Sequence, residues 1–296
     1  MPMRAVPPKS IAATNLVQAP EADILQLQEF VEDHPNLFVI TGAGISNASG
    51  IPTYRDEVGN WMTNTPIQHG EFLELPGVRQ RYWARSFGGW PNVGNARPNK
   101  AHRALAEIEA LGYVSTLVTQ NIDRLHQKAG HKRVIDLHGR LDQVICMDCG
   151  DLTSRDGIQH WLWQHNPHLE DIKAGLAPDG DAHVADELIR DIKVPSCARC
   201  DGLLKPNVVF YGGSVGKEIV NYLYSKLLEA DAVLVVGTSM MVYSSFRFCR
   251  LAAEKGIPIA AINRGLTRAD GLLQLKVSQD CGEALTSLAA GLSRKN

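Results

Sequence analysis

Residues 42–55 read Gly-Ala-Gly-Ile-Ser-Asn-Ala-Ser-Gly-Ile-Pro-Thr-Tyr-Arg and directly follow the largely apolar run Leu37–Thr41. Such a run is typical of a strand that is buried on both faces of a parallel sheet. Glycines at 42 and 44 allow the chain to turn sharply and to bring backbone N–H groups close to a phosphate. The stretch therefore predicts a strand followed by a nucleotide-binding loop, although an ordinary tight turn also fits two glycines after a strand.

The loop departs from the usual dinucleotide fingerprint in two ways. Position 47 is Asn47 where a third glycine is expected, and no acidic residue ends a second strand at the distance expected for a ribose contact. An NAD-dependent oxidoreductase is therefore a weak interpretation of this loop.

The composition is that of a globular protein with a large core, since 44% of the 296 residues are apolar and 21% are charged. Thirty basic and 32 acidic residues leave a net charge of −2, so there is no electrostatic case for a dedicated nucleic-acid binder. No apolar stretch approaches the roughly 18 residues that cross a bilayer, so no membrane partner is expected. The sequence predicts no particular oligomeric state.

The two ends of the chain are expected to be flexible. Residues 1–20 match neither a secretory signal nor an Arg-rich transit peptide well, and residues 291–296 are expected to form a frayed tail. The interpretation favours a bacterial cytoplasm, with the mitochondrial matrix as the alternative compartment.

Runs rich in Val, Ile and Leu recur along the chain, with helical patterns between several of them. These runs predict strands at 37–41, 115–119, 207–210, 232–236 and 258–262. The alternation predicts an α/β fold built on a doubly wound parallel sheet. Segment 99–111 predicts one of the helices, with Asn99 as its N-cap and Gly112 closing its C-terminus.

Four of the six cysteines form two pairs with metal-ligand spacing. The pairs are Cys146 with Cys149 and Cys197 with Cys200. Four thiolates suit a closed tetrahedral zinc site that is structural, while unrelated or redox-active thiols are the alternative. The long interval between the pairs, and the polar turn sequence within it, predict a small inserted module over residues 140–204.

The glycine loop and several later blocks resemble the signatures of the sirtuins, the NAD-dependent protein-lysine deacylases. The blocks are 42–55, 119–123 (Thr-Gln-Asn-Ile-Asp), His138-Gly139, the two cysteine pairs, 205–210 (Lys-Pro-Asn-Val-Val-Phe), 237–239 (Gly-Thr-Ser) and 263–265 (Asn-Arg-Gly). The resemblance implies a Rossmann-like NAD-binding domain, formed by residues 21–139 and 205–290, and a zinc module at 140–204.

The resemblance also implies the reaction. A sirtuin transfers the acyl group of a modified lysine to ADP-ribose and releases nicotinamide and O-acyl-ADP-ribose, with the residue at His138 as general base. Imidazole titrates near neutrality and suits that role, although a lone histidine is more often structural. ADP-ribose transfer to a protein side chain, an NAD-dependent oxidoreductase and a non-enzymatic zinc-containing interaction module are the alternatives.

The resemblance assigns a set of residues to NAD, which acts as a cosubstrate. They are Gly42, Ala43, Gly44, Ile45, Ser46, Pro52, Tyr54, Arg55, Gln120, Asn121, Ile122, Asp123, Gly237, Thr238, Ser239, Asn263, Arg264, Gly265 and Cys281. Ordinary alternatives are an Asx turn that begins at Asn121 and simple turns at 237–239 and 263–265.

The expected partners are acyl-lysine proteins or peptides, which would add as a strand along Val209 and its neighbours. Gly213 stands where most sirtuins have Glu. Several segments, including a Leu176–Asp181 insertion, resemble the class II subgroup typified by mitochondrial sirtuin four and its bacterial relatives. Tyr82 and Arg85 share a Tyr-x-x-Arg spacing with sirtuins that remove acidic acyl groups, so an acyl group larger than acetyl, such as a carboxylated one, is predicted. A packed Tyr82 and a solvated Arg85 are the alternative.

Overall fold

The computed structural model describes residues 19–53, 66–169, 189 and 191–294. Its strands are β1 (Leu37–Thr41), β2 (Val114–Thr119), β3 (Val134–Asp136), β4 (Gly139–Cys146), β5 (Leu152–Ser154), β6 (Leu204–Val208), β7 (Ala232–Val236), β8 (Ile259–Ile262) and β9 (Leu275–Val277). Six of them form a parallel sheet in the order β3-β2-β1-β7-β8-β9, and the other three form a sheet in the order β5-β4-β6.

The described helices surround these sheets. They are α1 (Ile24–Asp33), α2 (Ala43–Ser46), α3 (His69–Glu74), α4 (Pro76–Asn95), α5 (Lys100–Ala110), α6 (Leu125–Lys128), α7 (Arg155–His165), α8 (Lys217–Leu228), α9 (Tyr243–Glu254) and α10 (Cys281–Ser293). Among them, none combines the length and the apolar character that a bilayer crossing requires.

Strand β1 lies at the centre of the parallel sheet and is buried along its whole length. Because side chains alternate between faces of a strand, Leu37 and Val39 pack on one side with α1, α5 and α10. Phe38 and Ile40 pack on the opposite side with α8 and α9. The predicted doubly wound α/β fold is therefore confirmed.

The predicted helix at 99–111 is also confirmed. The Asn99 side chain accepts a hydrogen bond from the backbone N–H of Ala101 at 2.8 Å, and the Nδ1 atom of His102 reaches back to the backbone N–H of Asn99. The two contacts together satisfy donors at the start of α5 that would otherwise lack partners. Gly112 follows the helix with a φ of +96°.

One strand prediction was wrong in position and direction. Residues 204–208 form β6, which pairs antiparallel with β4 and does not join the parallel sheet. The apolar run at 207–210 could not reveal this, because a short run does not specify strand direction. Strands β4, β5 and β9 were not predicted. The boundary predicted between residues 204 and 205 falls inside β6. The division of the chain into domains stays a prediction.

The small sheet has its own core, which it shares with α3, α4 and α7. Val144 of β4 packs there with Phe72, Trp83 and Leu162. The buried guanidinium group of Arg155 lies 5.7 Å from the Trp83 ring centre, a cation–π contact inside this core. The described helices α3 and α4 thus pack with the small sheet, although they precede it in the chain.

Parts of several predictions lie outside the described residues. These parts are residues 1–18 of the leader, the segment 176–181, Tyr54, Arg55 and residues 295–296. The described ends of the chain are packed: Ala19 is buried, the carbonyl of Pro20 accepts a hydrogen bond from Lys276 N–H at 2.9 Å, and Leu292 is fully buried in α10. The predicted frayed tail is therefore wrong for residues 291–293.

Candidate active site

The carboxyl ends of β1 and β7 meet where the strand order of the parallel sheet reverses, the usual ligand position in such folds. The loop Gly42–Ser46 follows β1, and the loop Gly237–Ser239 follows β7; together we call them the cradle. The Gly44 N–H donates to the Gly237 carbonyl at 2.8 Å. A Cβ atom on Gly44 would lie 2.7 Å from that oxygen, so the two loops pack backbone against backbone.

A cavity of about 1060 Å³ opens beside the cradle. Most residues predicted from the sequence line it: Ala43, Gly44, Ile45, Ser46, Tyr82, Gln120, Asn121, Ile122, Asp123, His138, Val209, Gly237, Thr238, Ser239, Asn263, Arg264, Gly265 and Cys281. Gly42, Pro52 and Arg85 are not among the described residues of its wall. Tyr54 and Arg55 lie outside the described part of the chain.

The segment after β2 ties the cradle together. Gln120 donates from Nε2 to the Thr238 hydroxyl at 2.8 Å, which links the end of β2 to the loop after β7. Asn121 donates from Nδ2 to the Gly42 carbonyl at 3.1 Å and to the Ser46 hydroxyl at 2.9 Å. These side chains therefore fix the relative positions of three strand ends.

Asp123 is buried at the inner end of this segment. One carboxylate oxygen accepts from the Ser46 hydroxyl at 2.7 Å, and the other accepts from the Leu125 N–H at 2.8 Å. The second contact is an Asx turn that begins at Asp123, whereas the alternative interpretation of the sequence placed such a turn at Asn121. Burial raises the pKa of Asp123, while its two hydrogen bonds act in the opposite direction.

Three buried histidines lie behind the loop that follows β1. The ring centres of His102 and His126 are 4.9 Å apart, and those of His126 and His131 are 5.0 Å apart. His126 contacts the Thr41 hydroxyl at 2.8 Å through Nε2. Burial lowers the pKa of His102 to about 4, so this ring is neutral at pH 7.

His138 lies in the two-residue connection between β3 and β4, and its ring nitrogens have different partners. Nδ1 is 3.1 Å from the carbonyl oxygen of Gln120, and Nε2 is 2.7 Å from the Ser244 hydroxyl. Since a carbonyl can only accept, Nδ1 carries the proton and Nε2 is left as an acceptor. Burial lowers the pKa of His138, so the imidazole is neutral and able to take a proton at pH 7.

The backbone beside His138 is held by close packing. Gly139 has a φ of +81°, and a Cβ atom there would lie 2.2 Å from the carbonyl oxygen of Asn207. Any other residue at 139 would push β4 away from β6. Glycine at position 139 therefore allows β4 to pack closely against β6 and places His138 between the two sheets.

The two single cysteines are not nucleophiles. Cys249 is fully buried, and Cys281 begins α10 at the cavity wall. Burial raises the pKa of each thiol to about 12, which leaves almost no thiolate at pH 7.

The four paired cysteines form a cluster whose sulfur atoms all lie within 4.8 Å of one another. The Sγ atoms of Cys146 and Cys200 are 3.5 Å apart, and those of Cys149 and Cys197 are 3.8 Å apart. Zn–S bonds of about 2.3 Å in a tetrahedron place neighbouring sulfurs roughly 3.8 Å apart. The predicted cluster is confirmed, and its geometry fits one zinc ion.

Comparison with known proteins agrees with this geometry. A model of the Sir2 family matches residues 42–244. The chain belongs to the Sir2 family. The resemblance to the sirtuins is therefore confirmed, and the cavity that contains His138 is the candidate active site of a Sir2-family chain.

Two relatives show how far the similarity extends. An NAD-dependent protein deacetylase of Xanthomonas campestris pv. campestris (strain 8004) is 53% identical over 262 residues, which cover 88% of this chain and 89% of the relative. The mitochondrial NAD-dependent protein lipoamidase sirtuin-4 of Homo sapiens is 47% identical, over 88% of this chain and 84% of that protein.

Solved Sir2 structures share the fold. The crystal structure of a Sir2 homolog–NAD complex superimposes with a TM-score of 0.72 at 26% identity, covering 95% of this chain and 97% of the other. A Sir2 variant with a deacetylated p53 peptide and 3'-O-acetyl ADP ribose also gives a TM-score of 0.72, at 25% identity, over 91% of this chain and 98% of the other.

Several polar residues of this Sir2 cavity were not predicted from the sequence, among them Ser244 and Arg247. Ser244 contacts His138, and Arg247 lies one helical turn further along α9. Both lie within a few residues of the Gly-Thr-Ser block, which was the signal available, but no local pattern indicates that the start of α9 lies beside His138. Asn99 was predicted only as a helix cap, yet its side chain also donates to the Ile45 carbonyl at 2.8 Å.

Proposed function

We propose that this chain is an NAD-dependent protein-lysine deacylase in which His138 is the general base. One observation carries the proposal: a single cavity joins the backbone cradle at Gly44 and Gly237 to a neutral histidine whose Nε2 atom can accept a proton. The names of the relatives and the NAD complex of a similar structure support the same reaction class.

The residues around the cradle fit a dinucleotide. Side chains are excluded where Gly44 approaches Gly237, which suits backbone contact with phosphates. Asn121 and Asp123 are assigned to the nicotinamide carboxamide, because both lie on the cavity wall and are oriented by hydrogen bonds to Ser46. Bound NAD supplies an electrophilic ribose carbon once nicotinamide departs.

His138 acts on the ribose hydroxyl groups. Its Nδ1–H is directed at the Gln120 carbonyl, so the ring is held in the tautomer that presents a basic Nε2. A hydroxyl of the bound sugar takes the place of Ser244 as the partner of Nε2 and gives up its proton there. Buried apolar residues of the wall, including Ile45 and Ile51, exclude water from this step.

The acyl-lysine peptide is assigned to the wall that contains Val209. The Val209 N–H already donates to the His138 carbonyl at 2.8 Å, so this N–H is not available to a substrate strand. Tyr82 is buried with Phe72 and Phe210 around it and is assigned to the acyl chain. Arg85 does not line the cavity in the described part of the chain, so no acyl contact is assigned to it.

The test is to incubate the purified protein with NAD and lysine peptides that carry acetyl, longer neutral and acidic acyl groups, and to follow the products by mass. We expect free nicotinamide, deacylated peptide and O-acyl-ADP-ribose. His138→Tyr should abolish all three products, whereas the control substitution of an exposed histidine, His168→Tyr, should leave them unchanged.

Other products would identify a different reaction. Formation of NADH with the nicotinamide bond intact would refute the deacylase proposal, and so would full activity of His138→Tyr. A protein that gains the mass of ADP-ribose while every peptide stays acylated would indicate ADP-ribose transfer as the function. A bacterial cytoplasm as the compartment stays a prediction.

A further inference from the structure

Two segments of the cavity wall carry positive charge and no negative charge. They contribute Gly213, Ser214, Val215, Lys217, Met241, Val242, Tyr243, Ser244 and Arg247. Lys217 and Arg247 are the ionisable cations of this set, and no Asp or Glu belongs to it. The Gly213 N–H donates to the Phe210 carbonyl at 2.9 Å and Ser244 contacts His138, so the two segments lie beside His138 and the proposed acyl-lysine wall.

Arg247 is held near the reaction centre by its position on α9. It follows Ser244 by three residues, so the two side chains lie on the same side of the helix. Ser244 in turn is 2.7 Å from Nε2 of His138. The Arg247 guanidinium carbon lies 5.2 Å from the ring centre of Tyr243.

The guanidinium group of Arg247 has unused hydrogen-bonding capacity. Its Nε atom is buried and has no hydrogen-bond partner, and Arg247 forms no ion pair within the described residues. A buried donor without a hydrogen-bond partner is unfavourable, so such donors are rare unless a ligand or another group accepts their hydrogen bond. An ordinary surface arginine, by contrast, keeps its whole head group in water.

A second arginine strengthens the positive field. The guanidinium carbon of Arg268 lies 5.9 Å from the same Tyr243 ring and 4.4 Å from the ring of Phe246. Its Nη1 atom donates to the Met241 carbonyl at 3.2 Å, which is a neutral partner. Two guanidinium groups therefore share one ring with no carboxylate among their described contacts, and this arrangement attracts anions.

We propose that Arg247 binds a carboxylate of the acyl-lysine substrate, with Lys217 and Arg268 adding to the attraction. The proposal rests on the deacylase function above and adds a specificity residue to it. A carboxylate fits because guanidinium groups bind it through paired N–H donors and because this part of the wall offers no competing acid. It belongs either to an acidic residue beside the modified lysine or to the acyl chain itself.

Two pairs of peptides distinguish these sources. The first pair carries acetyl-lysine next to either Glu or Gln, and the second has neutral flanking residues and carries either glutaryl-lysine or its neutral amide. For at least one pair, we expect the carboxylate member to have a kcat/KM about tenfold higher with the unmodified protein, the effect of one charge-assisted hydrogen bond. The pair that shows the preference identifies the source of the carboxylate.

Three variants assign the preference to Arg247. Arg247→Gln should remove it, and Arg247→Lys should retain part of it, because lysine keeps the charge but not the paired donors. Arg250→Gln is the matched control, because Arg250 lies one turn further along α9, is exposed and contacts Glu254 at 3.4 Å. The melting temperature of each variant shows whether it is folded. If Arg247→Gln does not fold, the substrate preference of Arg247→Lys is the test.

Several results would overturn the inference. It is wrong if the unmodified protein shows no preference within either pair, or if Arg247→Gln leaves the preference intact. It is also wrong if that variant only raises the KM for NAD, since Arg247 would then serve the cosubstrate. Absence of nicotinamide release from NAD with every peptide would instead refute the deacylase function itself, so the two failures are distinguishable.

Discussion

Alanine at position 44 is the smallest change that should disable the cradle. The new Cβ atom would lie 2.7 Å from the Gly237 carbonyl oxygen, whereas ordinary contacts begin at 3.4 Å, so the loops must separate by about 0.7 Å. That movement weakens the 2.8 Å hydrogen bond from Gly44 to Gly237 and shifts the backbone of the cradle, where the phosphates of NAD are proposed to bind. Overpacking of this kind costs about 1 to 3 kcal/mol in stability.

The effect on activity should exceed the effect on stability. Misplacement of a bound substrate by about 1 Å can reduce a rate on the order of a hundredfold, so we expect that loss in kcat/KM for NAD. The assay is nicotinamide release at varied NAD, with urea unfolding run in parallel. Gly77→Ala is the control, since position 77 has no atom within 4 Å of the added Cβ. A Gly44→Ala protein that keeps its kcat/KM within about twofold would refute the close-packed cradle.

Three further predictions test other parts of the structure. The Ser244 hydroxyl donates to Nε2 of His138 and thereby favours the neutral imidazole. Ser244→Ala removes this donor and should raise the pKa of His138, so the acid limb of the pH profile of kcat/KM should move up by about one pH unit. Because the pKa of His102 is about 4 when folded and about 6.5 when unfolded, the unfolded chain binds more protons between these values. His102 alone should therefore lower the free energy of unfolding by about 2 kcal/mol from pH 7.5 to 5 in urea titrations, so the total fall should be smaller in His102→Asn than in the unmodified protein. Cys200→Ser should abolish stoichiometric zinc in elemental analysis and lower the melting temperature, whereas Cys249→Ser should keep the metal.

The parts of the fold that were predictable from sequence are those encoded by local patterns. Strand β1 is a short run that is buried on both faces, and α5 is marked at both ends by Asn99 and Gly112. The direction of β6 was not predictable, because it depends on pairing with β4, some sixty residues earlier in the chain.

The candidate site divides in the same way. The cradle and His138 belong to recognisable blocks, and the structure brings most of them to one cavity. Ser244 and Arg247 belong to no such block, and their role depends on how α9 packs against the parallel sheet. Arg85 shows the opposite case, since its spacing from Tyr82 suggested a ligand contact but the described cavity wall does not include it.

The position of His138 explains why a remote metal cluster should matter to catalysis. Its imidazole is hydrogen-bonded to the carbonyl of Gln120, which follows β2 of the parallel sheet. Its backbone carbonyl accepts a hydrogen bond from the N–H of Val209, which follows β6 of the small sheet. Strand β4 then runs from Gly139 to Cys146, so the cysteine cluster lies roughly 20 Å from the base. Zinc at that distance would not contact the substrate, but it would join the end of β4, at Cys146, to the Cys197–Cys200 segment that precedes β6. Loss of the metal should therefore reduce kcat by misplacing His138 while NAD binding, which depends on the parallel sheet, is largely retained.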